Sequence, residues 1–159
     1  VSTTQPIYYV RVSLTLTIHL DHSRDICQIS KAIELGWDSV MYDGSHLPFV
    51  ENVANTAEVV RVAKKKGVLV EGEIGQIQGV EDNISVDKEV QITIDDVEKF
   101  ITSTGVDLLA VAIGTAHGQY GGKEPNINYD LLKQICNLPK ISFVVHGGSE
   151  LSDETLRKL

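Results

Sequence analysis

Cysteine is almost absent from this chain: 159 residues contain two, Cys27 and Cys136, far apart and in no CxxC pair. Their separation and apolar, helix-like surroundings predict reduced core residues of a cytosolic protein in preference to a disulfide. Positive charge is scarce as well. Fourteen Lys and Arg stand against 22 Asp and Glu, a net charge of −8. Nucleic acid and anionic membrane surfaces both need a basic face, so neither is an expected partner. A small anionic substrate is not excluded, because a few local donors outweigh the global charge. No apolar run approaches the ~20 residues of a membrane span, and no basic-then-apolar leader opens the chain. The only methionine is Met41, so the expectation is a fragment or a processed product. What remains, 42% apolar residues and 13 glycines, is the composition of one soluble globular domain covering 1–159.

What is present is one repeated alternation. Val10, Val12, Leu14, Leu16 and Ile18 alternate with polar residues, predicting a strand that ends at HLDHS. A helix pattern from Ile26 to Leu35 follows, stopped by Gly36. The same pairing recurs: a strand over Ser39–Tyr42 with a helix over about Phe49–Lys66, then a strand over Val68–Gly75 with a helix over about Asp95–Thr104. A fourth strand, DLLAVAIG, precedes a helix over about Tyr129–Cys136, and a fifth, Ile141–Val145, precedes a helix starting near Ser152. Five βα units in a row predict an α/β fold with a parallel sheet.

The reactive residues fall at one kind of place. His22, Asp43, Glu73, His117 and His146 each stand at or just past the carboxyl end of a predicted strand. In parallel α/β architectures those ends share one face, where active sites are built. Three imidazoles from different strands match the three-histidine set of a catalytic zinc, which leaves a coordination position for substrate. A lone histidine there would be an ordinary hydrogen-bonded one; the convergence of several favours the metal.

The stretches HLDHS, SVMYDGSH, VEGEIG, AVAIGTAHGQY and VVHGGS resemble, in order and spacing, the class II zinc-dependent fructose-bisphosphate and tagatose-bisphosphate aldolases, from about Leu14 onward. The match is poor over 1–11. The resemblance implies a TIM (β/α)8 barrel, with about five of eight βα units in this chain, and retro-aldol cleavage of a ketose bisphosphate. On it, His22, His117 and His146 fall on the zinc ligands. Asp43 and Glu73 fall on carboxylates of a second zinc position. Asp21 falls on the acid that protonates the aldehyde oxygen, and Glu81, in GVED, on the acid that handles the C3 proton. Gly118, Gly147, Gly148 and Ser149 fall on the loops that bind dihydroxyacetone phosphate. Ser23, Gln78 and Glu150 depart from the frequent glycines of the pattern. The implied cofactor is Zn2+, with a second divalent or a monovalent cation as an option. The implied setting is cytoplasmic glycolysis and gluconeogenesis, in a homo-oligomer (dimer or tetramer) acting on phosphorylated ketoses and triose phosphates.

Zinc bound to substrate oxygens would stabilise the enediolate left by C–C cleavage without a Schiff base, and no lysine stands at a strand end here. Asp21 also reads as a group orienting its histidine neighbour, Glu81 as a solvated loop charge, and Asp43 and Glu73 as strand-end hydrogen-bond anchors. A closed barrel needs roughly 200 residues or more. Tagatose-bisphosphate cleavage, a non-catalytic zinc-binding paralogue or fragment, and a metal-free sugar-phosphate module therefore stand as alternatives.

Overall fold

The structure, a computed structural model, describes residues 15–79, 92–117, 120, 124–139, 141–149 and 151–159. In chain order the elements are β1 (His19–Ser23), α1 (Ile26–Glu34), β2 (Ser39–Tyr42), α2 (Phe49–Ala63), β3 (Leu69–Ile74), β4 (Gln78–Gly79), α3 (Ile94–Thr104), β5 (Leu108–Val111), β6 (Ala116–His117), α4 (Tyr129–Ile135), β7 (Ser142–Val144) and α5 (Asp153–Leu156). One five-stranded sheet runs β1-β2-β3-β5-β7 with every pairing parallel, so sheet order is sequence order. A two-residue parallel ladder, β4 on β6, stands apart from it and pairs Gly79 with His117.

Local chemistry explains the helix limits. Asp25 caps α1 by accepting from the Cys27 amide, and Thr93 with Asp96 forms a reciprocal capping box at α3. Left-handed glycines follow the helices where an L side chain would be strained: Gly67 has φ +71° and Gly105 φ +67°. The pattern expected to be one helix to Lys66 is α2 to Ala63 and then a 3-10 turn over Lys64–Lys66.

Period-two alternation divides the sheet into two faces. Val40 and Tyr42, Val70 and Ile74, and Leu109 and Val111 pack with Ile29, Ile33, Val59, Val60, Val97, Phe100, Leu131 and Ile135 of the helices into one buried core. Gly72 shares that face, and the Phe100 ring lies 2.9 Å from where a Cβ would stand. The alternate residues, among them His19, Asp21, Glu71 and Glu73, point to the opposite face. The polar groups thus share a side of the sheet because the apolar ones claim the helices.

Two expectations are corrected. The first strand is HLDHS itself: within the described residues 15–18 precede the ladder, because the four-residue β2 offers partners only from Ser39 to Tyr42. The predicted start at Val10 lies outside the described residues. The cysteines are not core residues. Both are exposed free thiols, Cys27 in the first turn of α1 and Cys136 at the C-cap of α4. Among the described residues, no helix is long and apolar enough to cross a membrane.

Candidate metal centre

His22 is placed by an irregularity. The β1–β2 register shifts between Leu20 and Ser23, and His22 takes φ +42°, the one positive φ recorded for a described non-glycine residue. Such a kink re-aims a side chain at a strand end, at a cost in backbone strain. His117 arrives on β6 and His146 two residues past the end of β7. The three histidines can each offer a ring nitrogen, all within 4.8 Å of one another. Their rings pack edge-on, with centroids 4.8 Å apart for His22 and His117 and 4.4 Å for His22 and His146.

Partners assign the protons. His146 Nε2 lies 2.8 Å from Glu71 Oε1, so it donates there and its Nδ1 carries the lone pair. His22 Nδ1 faces Asp43 Oδ2 at 3.8 Å and Glu73 Oε2 at 3.7 Å, which turns Nε2 toward His146. His22 Nε2 and His146 Nδ1 stand 2.8 Å apart, within hydrogen-bond reach. A proton shared between these two nitrogens accounts for that contact, and a cation bound by both rings would take the proton's place. The three nitrogens gathered within 4.8 Å fit a divalent cation of the borderline kind that prefers nitrogen ligands.

The carboxylates behind the imidazoles differ in charge state. Burial alone would raise the Asp43 carboxyl, but hydrogen bonds from His22, Ser45 and Arg24, with the charge of Arg24, hold it well below the usual carboxylate range. The Arg24 Nε and Nη2 both donate to Oδ2, at 3.0 and 2.7 Å, while the Ser45 amide and hydroxyl donate to Oδ1. Glu73 lies beside it with a buried Oε2 that makes no hydrogen bond, and burial together with the Asp43 charge pushes it up to about 7. Burial lowers His146 and the neighbouring His22 adds to that, but the Glu71 hydrogen bond together with the charges of Glu71 and Glu73 outweighs both, and the net direction is upward.

Of the other expected residues, Asp21 is 61% exposed and its recorded ion pair is with His19 Nε2 at 3.8 Å. Gly147 (φ +72°) packs so tightly on the Ala116 backbone that a Cβ would overlap its carbonyl oxygen, whereas a Cβ on Gly148 would meet nothing. Ser149 is exposed. Glu81, Gly118 and Glu150 lie outside the described residues, and of Gln78 only the backbone is described.

Glu71 is a residue the sequence reading missed. It is 3% exposed, bonds His146, and has Oε2 3.6 Å from His19 Nε2. The signal was the i, i+2 spacing of Glu71 and Glu73, which puts both on one face of β3. Arg24 was missed too, although it directly follows the HLDHS stretch at a strand end. An outer carboxylate that fixes a ligand's tautomer is typically worth ~10–100-fold in metal affinity. Glu71→Gln is accordingly expected to weaken zinc binding by about that factor, measured by competition with a chromophoric chelator; unchanged affinity would remove Glu71 from that role.

A parallel α/β fold that gathers three histidines at or near strand ends defines a TIM-barrel type of enzyme site. Sequence and structure comparisons name the family. The family model described as fructose-bisphosphate aldolase class-II matches residues 5–159, beginning before Leu14. A sulfofructosephosphate aldolase from Alkalicoccus urumqiensis is 44% identical over 154 residues, 96% of this chain and 53% of that protein. The crystal structure of a Coccidioides immitis protein, described as a fructose-1,6-biphosphate aldolase, superposes with a TM-score of 0.80 at 33% identity, covering 89% of this chain and 52% of that one. The YdjI aldolase of Escherichia coli K12 gives 0.71 at 30% identity, covering 89% and 47%. This chain belongs to the class-II fructose-bisphosphate aldolase family, and it spans about half the length of these relatives.

Proposed function

We propose that these residues form the metal-binding and proton-handling part of a zinc-dependent aldolase that cleaves a ketose phosphate by a retro-aldol reaction. The observation that carries this reading is the convergence of imidazole nitrogens from three strand ends, all within 4.8 Å of one another. His22, His117 and His146 would hold the zinc, which when bound supplies the Lewis acid that draws electron density from the ketone oxygen.

The chain's own groups do the rest. Glu71 holds His146 in the tautomer that presents Nδ1. Asp43 and Glu73 sit behind the His22 ring and orient it. Their proposed service as ligands of an alternative zinc position requires Arg24 to release Asp43 Oδ2. Asp21, exposed on the same sheet face, would pass a proton to the aldehyde oxygen, and Glu81 would handle the C3 proton. Gly118, Gly148 and Ser149 would offer backbone and hydroxyl donors to phosphate, with Gly147 fixing the turn that presents them.

Fructose 1,6-bisphosphate, cleaved to dihydroxyacetone phosphate and glyceraldehyde 3-phosphate, is the substrate that the family's name suggests. The 44% identity to a sulfofructosephosphate aldolase favours a second reading, in which a sulfonate replaces the distal phosphate. The test is an aldol-cleavage assay of the full-length protein on fructose bisphosphate, tagatose bisphosphate and sulfofructose phosphate. Cleavage of one of them, lost with chelator and restored by zinc, is the expected outcome. Cleavage that survives complete metal removal would overturn the reading, and bound zinc without cleavage of any ketose phosphate would identify a non-catalytic paralogue.

A further inference from the structure

The zinc-centre reading leaves a mechanical question. His117 and His146 belong to segments with little in common. His117 sits on β6, whose ladder is the two-residue pairing with β4 outside the main sheet. His146 lies beyond the last paired residue of β7, Val144. Metal–ligand distances must hold to about 0.2 Å, and neither histidine is paired within the main five-stranded sheet.

One side chain joins them. The Tyr120 hydroxyl accepts a hydrogen bond from the Ala116 amide at 2.7 Å and donates one to the Gly147 carbonyl at 2.7 Å. Ala116 precedes His117, and Gly147 follows His146. The hydroxyl thus bridges the backbone on either side of the two histidines. The two segments also touch directly, because Gly147 approaches the Ala116 backbone where no Cβ would fit. A phenolic oxygen suits the task, since it accepts from one group and donates to the other at once.

We propose that Tyr120 is a positioning residue of the metal centre, its hydroxyl clamping the His117 and His146 segments at the separation one cation requires. This rests on the zinc-centre reading above and deepens it. Tyr120 ligates nothing in this role. Without the hydroxyl, the Ala116 amide and the Gly147 carbonyl would lose a shared partner, and only the Gly147–Ala116 packing would join the two segments. Binding would then have to order what the clamp otherwise orders in advance.

The test is Tyr120→Phe in the full-length protein, probed with Co2+ as well as Zn2+. Three readouts are expected to move: affinity for either ion falls ~10–100-fold, the range of outer-shell changes; the visible d–d spectrum of the cobalt form shifts; and amide exchange at Ala116 speeds up in the metal-free protein. Phe100→Leu, buried on the helix side of β3, is the control for general destabilisation. It should lower the melting temperature and leave the cobalt spectrum as in the wild type. If Tyr120→Phe keeps wild-type affinity and spectrum, or if Phe100→Leu shifts them equally, the clamp is refuted. Wild-type protein that takes up neither ion would instead overturn the zinc-centre reading, and the clamp with it.

Discussion

His117→Ala is expected to release the metal while the fold stays intact. The substitution leaves the backbone of β6 free to keep its ladder to β4, so the metal-free melting temperature should change little. It removes one of three converging nitrogens, which must cost more than an outer-shell change. The expected loss of zinc affinity therefore exceeds ~100-fold, read by competition with a chelator of known affinity. His22 and His146 would still face each other at 2.8 Å, yet two ligands hold a cation far less firmly than three. A His117→Ala protein that binds zinc as tightly as the parent would move the metal elsewhere.

Asp21→Ala should produce the opposite pattern. The metal stays, and kcat falls by ~10²–10⁴-fold, the usual contribution of a general acid or base. Geometry separates these outcomes. Glu71 already orients His146, and Asp43 with Glu73 faces His22. The orienting duties are taken, and Asp21 stands more than half exposed on the sheet face that carries the site. An interaction made chiefly in the transition state lowers kcat and kcat/KM together. Turnover at the parent rate would exclude Asp21 as the acid, and loss of zinc in step with activity would make it an orienting group.

Much of this arrangement was legible in residue order. Strands β2, β3, β5 and β7 lie inside their predicted spans because short apolar runs ended by glycine or aspartate leave little freedom in register. The strand-end rule found the three histidines and the Asp43–Glu73 pair without any knowledge of contacts. It erred at β1, where alternation upstream outweighed a consideration invisible in one segment, namely how long the neighbouring strand is. It erred on the cysteines, because apolar neighbours in sequence do not say which way one position of a helix turns. Glu71 was hidden by attention to strand ends, since its role comes from lying two residues inside one. Tyr120 was hidden for a different reason. Its partners are backbone groups at Ala116 and Gly147, and no side-chain pattern announces a tertiary bond to a main-chain carbonyl.

The left-handed backbone of His22 bears on how the protein could be improved. Glycine occupies that region more readily than histidine, so a search for thermostabilising substitutions scored on the fold alone would include His22→Gly. The gain in melting temperature would come at the expense of the nitrogen that faces His146. Position 22 is therefore a place where stability and activity trade against each other. Selection for heat resistance alone would move such a chain toward a sturdier protein with no metal site.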